Sequence, residues 1–173
     1  ALIQFDTEIE TLQAFTNDKN ALLAAIQKIV PRGNTTLYDA IAQAAKYFEA
    51  TQGRKDIILV TDGMDNASKI NRDTLVDQVS KSGFSIYTVG LGAKGAGYGS
   101  QDGIDETVLR DLASASMGTY YYRPDGTQLS NLYQELSLLI QNEYKLTYTS
   151  TSPLRDGVKR NIVVTAPGAA ATQ

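Results

Sequence analysis

Asp56-Ile57-Ile58-Leu59-Val60-Thr61-Asp62-Gly63 is the stretch on which the fold turns. Ile57 to Val60 are apolar without a break, so the segment lacks the alternation of a strand wetted on one face. An unalternated run is the pattern of a strand buried on both faces, as in a parallel sheet covered by helices. The run ends in a carboxylate, Asp62, and in Gly63, which lets the chain turn away. Open α/β sheets bind ligands at the carboxyl ends of their strands, so Asp62 is expected on the ligand-binding edge.

Upstream, Leu37, Ile41, Ala44 and Phe48 recur at helical spacing and predict a helix from about Leu37 to Ala50. Thr36 and Asp39 have the spacing of a capping box at its start. If Thr36 caps, the neighbouring Thr35 is left with a hydroxyl that can offer oxygen to a hard cation. An earlier helix is expected from Asn20 to Val30, stopped by Pro31 and Gly33, and Leu2 to Phe5 reads as a short strand. Downstream, Asn71 can cap a helix to about Lys81 that buries Leu75, Val76 and Val79. A strand from Phe84 to Val89, a helix capped by Asp105, a strand from Thr119 to Tyr122 and a helix from Gln128 to Asn142 follow. The alternation predicts an α/β fold: an open, mostly parallel, Rossmann-like sheet with helices on both faces. Tyr144–Thr149 and Val158–Thr165 read as a C-terminal β-hairpin extension. The organisation expected is an α/β domain over residues 1–143, the hairpin over 144–166 and a frayed tail over 167–173.

Composition narrows the chemistry. The 173 residues contain neither histidine nor cysteine, and the formal net charge is -3. Imidazole and thiolate metal sites, disulfides and the common nucleophile–histidine arrangements are excluded, so any metal must sit among oxygens and be magnesium, manganese or calcium in type. The mild acidity argues against a nucleic-acid partner, and no apolar run reaches the roughly 20 residues of a membrane span. Gly90-Leu91-Gly92-Ala93-Lys94-Gly95 matches a dinucleotide fingerprint in letters, but no helix is expected to begin at Gly95, and the fingerprint needs a helix N-terminus for the pyrophosphate. It reads as a flexible loop, and the chain as not an enzyme. Tyr120 to Tyr122 read as strand packing, Asp65 and Asn66 as solvated turn residues, and Asp39 as a structural cap.

Taken together, Gly33-Asn34-Thr35, Thr61-Asp62-Gly63 and the later series Leu112, Ala113, Gly118 and Tyr120 resemble the von Willebrand factor A-type (VWA) family from about Leu2 to Asn142. The resemblance implies a metal-ion-dependent adhesion site in which a divalent cation is held by loops at the strand ends and completed by a partner's acidic side chain. By the same resemblance Thr35 and Asp62 are its metal ligands. The family's first strand, with its aspartate-x-serine-x-serine loop, has no match in this sequence. Tyr148-Thr149-Ser150-Thr151-Ser152 keeps two serines at the right spacing, but a neutral phenol stands where the aspartate belongs. The expectation is therefore a metal-dependent protein-binding module with an incomplete site, binding magnesium weakly or not at all when alone. An open strand edge should invite a complementing segment from elsewhere in the parent protein or from another chain. A scaffold domain that binds partners without metal is the alternative. Asn34-Thr35-Thr36 and Asn66-Ala67-Ser68 fit the glycosylation sequon but flank the expected site and read as accidental, which favours a bacterial source; the family resemblance favours a cell-envelope or extracellular setting.

Overall fold

The computed structural model describes residues 1–30, 32–92, 103–122 and 129–142. Its elements are β1 (Leu2–Phe5), β2 (Ile9–Gln13), α1 (Lys19–Ile26), α2 (Leu37–Tyr47), β3 (Asp56–Thr61), α3 (Arg72–Ser82), β4 (Ser85–Gly90), α4 (Glu106–Ala115), β5 (Tyr120–Tyr122) and α5 (Leu129–Asn142). By compactness the chain divides into two units, Ala1–Glu135 and Leu136–Gln173. The expected hairpin and tail lie outside the described residues.

β3, β4 and β5 form a parallel sheet in that order, with Ile57 opposite Ile86 and Val89 opposite Tyr121. Parallel neighbours need a crossover connection, and α3 and α4 supply the two. Each crossover starts on the cap read from the sequence: Asn71 accepts from the Thr74 N–H at 2.9 Å and Asp105 from the Val108 N–H at 3.1 Å. Gly83 then ends α3 in the left-handed conformation. The core gathers around β4, where Ile86, Tyr87, Thr88 and Val89 are buried, and takes in Leu37 and Ile41 of α2, Leu75 and Val79 of α3, and Val108, Leu109 and Leu112 of α4. Two buried hydroxyls are satisfied within it. Thr88 donates to the Leu109 carbonyl at 3.0 Å, and the Ser116 Oγ accepts from the Ile86 N–H at 2.9 Å. At its rim the Tyr120 hydroxyl donates to Glu106 at 2.7 Å; loss of hydration first, and the carboxylate second, push that phenol well above its ordinary pKa.

Three expectations need correction. The expected burial on both faces is not met: in β3 only Leu59 is buried, while Ile58 is 42% exposed, because among the described residues β3 has a strand neighbour on one side only and β4 takes the central place. The first helix stops at Ile26, and Ile29 and Val30 beyond it are exposed. Asp18, not the run that follows, fixes its start, by accepting from the N–H groups of Asn20 and Ala21. A strand absent from the sequence reading, β2, turns back on β1 as an antiparallel ribbon with Phe5 opposite Ile9. Its β-branched Ile9 and Thr11, alternating with Glu10 behind the Asp6-Thr7-Glu8 turn, were the available signal.

Among the described residues β1 pairs only with β2, and β3 only with β4. Their free edges both line one cavity of about 680 Å3, which also takes in Phe15, Ile26, Ile29, Phe48, Thr35 and Asp62.

Candidate functional site at the carboxyl end of β3

Three loops meet beyond the end of β3. The first is the β1–β2 turn. Its Asp6 carbonyl accepts from both the Thr36 N–H at 2.9 Å and the Thr36 hydroxyl at 2.7 Å. Thr7 Oγ1 accepts from the Asn34 N–H at 2.9 Å. The Asp6 carboxyl is held below the ordinary carboxylate range, chiefly by the Glu8 N–H. Gly33 passes this turn with a φ of 53°, where a Cβ would strike the Thr7 hydroxyl.

The second loop leads into α2, and its chemistry differs from the capping box expected. The Thr36 hydroxyl is spent on Asp6 and makes no cap. The start of α2 is capped from another loop: the Tyr38 N–H donates to Asp65 Oδ2 and the Asp39 N–H to Ser68 Oγ, each at 3.0 Å. The Asp39 carboxylate reaches the other way, accepting from the Lys69 N–H at 2.9 Å and the Ile70 N–H at 3.2 Å. Asp39 is structural, as expected, but as a clamp on the third loop.

That third loop runs from Asp62 to Ile70. Asp65 and Asn66 are not merely solvated turn residues. Asp65 also accepts from the Ser68 hydroxyl at 2.6 Å, and Asn66 Oδ1 accepts from the Thr35 N–H at 2.8 Å. The Thr35 carbonyl in turn accepts from the N–H groups of Asn66 and Ala67, both at 3.1 Å. Gly63, with a φ of 82°, turns the chain where a Cβ would lie 2.7 Å from the Asp105 carbonyl. The Asp105 N–H donates to the Asp62 carbonyl at 2.8 Å, so the start of α4 braces the loop from behind.

Against this bonding, two side-chain oxygens stand out. Asp62 uses Oδ1 for the Met64 N–H at 2.9 Å, and its Oδ2 has no hydrogen-bond partner among the described residues. Thr35 is held by its backbone alone, and its hydroxyl likewise has none. Both residues are half-buried and line the same cavity. The two residues that sequence reading singled out thus line one cavity, while Asp39, Asp65 and Asn66 hold the loops. Ser68 was missed; its bond to Asp65 is local, but the Asp39 N–H that it accepts from lies 29 residues away. In kind, a carboxylate and a hydroxyl fit a hard cation of the magnesium type. In number they fall short of the six oxygens it takes. Among the described residues no group of three acidic, histidine or cysteine side chains is placed to hold a metal. The last glycine of the Gly90–Gly95 run, and Ser150 and Ser152, lie outside the described residues.

The profile of the von Willebrand factor type A domain matches residues 1–135. Comparison with curated proteins gives no match. Among solved structures, the von Willebrand factor type A protein of Catenulispora acidiphila is similar at a TM-score of 0.62 and 22% identity, over 78% of this chain and 32% of its own. The conserved hypothetical protein BatB of Bacteroides thetaiotaomicron gives a TM-score of 0.60 at 18% identity, over 81% of this chain and 78% of its own. An aerotolerance-related membrane protein of Bacteroides fragilis gives 0.59 at 22% identity, over 79% and 77%. With the profile spanning most of the sequence and the parallel sheet agreeing with it, the chain belongs to the von Willebrand factor type A domain family.

Proposed function

We propose that this chain is a protein-binding module whose partner is engaged through a divalent cation at the carboxyl end of β3, with Thr35 and Asp62 as the ligands it contributes. One observation carries the reading: in a loop cluster where Asp39, Asp65, Asn66 and Ser68 are all engaged, the Thr35 hydroxyl and Asp62 Oδ2 line one cavity without a hydrogen-bond partner among the described residues. The cation would supply a fixed positive charge with open coordination positions, one of them completed by an acidic side chain of the partner. Absence of histidine and cysteine from the sequence supports binding over catalysis. No described helix is long and apolar enough to cross a membrane. The family resemblance and the Bacteroides membrane protein of similar fold favour a cell-envelope or extracellular setting.

The two-oxygen donor set favours a second reading, a scaffold domain that binds partners without metal. Titration calorimetry separates the two. Magnesium or manganese should bind the 173-residue chain weakly or undetectably. Joining a strand with an aspartate and two serines should raise affinity by about tenfold or more, since a carboxylate and two hydroxyls are added. Asp62→Ala should remove that gain. Equal affinity with and without Asp62 would assign the chain to the scaffold reading.

A further inference from the structure

We propose that Asn66 is a positioning residue of the candidate site: it fixes the Thr35 peptide, and so sets where the Thr35 hydroxyl stands relative to the loop that carries Asp62. The proposal rests on the reading of Thr35 and Asp62 as oxygens offered to a cation. Thr35 precedes α2 and Asp62 follows β3, so no local structure aligns the two. A cation of the magnesium type demands near-ideal geometry of its oxygens, so a hydroxyl on a loosely held loop is a poor ligand. The partners that orient a metal ligand matter nearly as much as the ligand itself.

Asn66 stands in the same loop as Asp62 and grips Thr35 at both ends. Its Oδ1 accepts from the Thr35 N–H at 2.8 Å, and its own N–H donates to the Thr35 carbonyl at 3.1 Å, beside that of Ala67. The peptide planes on either side of the Thr35 Cα are thereby tied to the Asp62 loop, and the directions open to the side chain follow from them. The other bonds between the two loops hold different atoms. Asp65 and Ser68 receive the N–H groups of Tyr38 and Asp39, which fixes the start of α2 beyond Thr35. Among the described residues, Asn66 supplies the side chain that bonds Thr35 itself. Asn66 is exposed, so replacing it opens no cavity in the core.

Amide resonances of the 173-residue chain supply the test, in two arms. In the first, without metal, the Thr35 amide of Asn66→Ala should exchange with solvent about fivefold faster than in the unaltered chain, the size of one lost hydrogen bond. Asn66→Asp keeps an acceptor at that place and should restore the slower rate. Unchanged rates at Tyr38 and Asp39 would show that α2 still starts as it did, which separates a freed Thr35 from general loosening. In the second arm, millimolar manganese, which broadens nearby resonances even when weakly held, is titrated while the Asp62 resonance is followed. Asn66→Ala and Thr35→Ala should each raise the half-maximal concentration severalfold, and the double variant should raise it no further, because Asn66 acts through the Thr35 hydroxyl. Asn66→Asp is kept out of this arm, since its added charge would itself attract the ion. Equal Thr35 exchange in Asn66→Ala and the unaltered chain would overturn the proposal. So would losses of manganese affinity that add in the double variant, which would give Asn66 a role independent of Thr35. Manganese that never broadens Asp62 would sink the cation reading instead, and the exchange arm alone would then decide whether Asn66 holds Thr35.

Discussion

Asp62 and Asp65 sit three residues apart in one loop and end in opposite circumstances. Asp65 caps α2 from outside it and anchors Ser68, so both its oxygens face donors. Asp62 keeps one oxygen open. Sequence pattern could place Asp62 and Thr35 because their positions are local: a carboxylate at a strand end, a hydroxyl before a helix. It misjudged Thr36, Asp65 and Asn66 because their partners are 27 to 31 residues away, and a helix start that is capped by a remote loop looks locally like one capped by its own threonine. Asp65→Ala should therefore cost about 1–2 kcal/mol of stability in urea denaturation, the range for losing an N-cap. Asp62→Ala should cost less, since it loses one turn hydrogen bond. The reverse order would mean that Asp62, not Asp65, holds the loops together.

At the scale of elements, periodicity found every helix described and four of the five strands, with ends displaced by a few residues. Helices capped by their own residues, α3 and α4, began where expected. β2 escaped because a short, half-wet antiparallel strand carries little pattern, and its pairing depends on β1 lying beside it. β3 is the instructive case. Its apolar run announced a strand with two covered faces, yet as an edge strand in these described residues it covers them unequally. Leu59, 5% exposed, packs into the core, and Leu59→Ala should cost about 2–4 kcal/mol. Ile58→Ala should cost less, about 1 kcal/mol, because 42% of the residue is already exposed. Similar losses at the two positions would show that Ile58 is covered in solution.

For the whole molecule, the alternation of elements was enough to predict a parallel α/β architecture, because each helix joins neighbouring strands and leaves few topologies open. What it could not give was the division into a two-stranded ribbon and a three-stranded sheet, which depends on strand-to-strand pairing and not on any local pattern. The same division has a kinetic consequence. From β3 to β5 each strand pairs with the next in the sequence, and the core around β4 is buried as these pairs form. The hydrogen bonds of the loop cluster, Thr36 to Asp6, Thr35 to Asn66 and Tyr38 to Asp65, each join residues about 30 apart and can form only after the elements that carry them have met. The cluster should accordingly be among the last features to assemble and the first to open. In stopped-flow experiments Asp65→Ala should hasten unfolding while leaving the refolding rate nearly unchanged; a slower refolding limb would place the cluster in the folding nucleus instead. A loop cluster that opens before the sheet does lets the carboxyl end of β3 loosen without the domain itself unfolding.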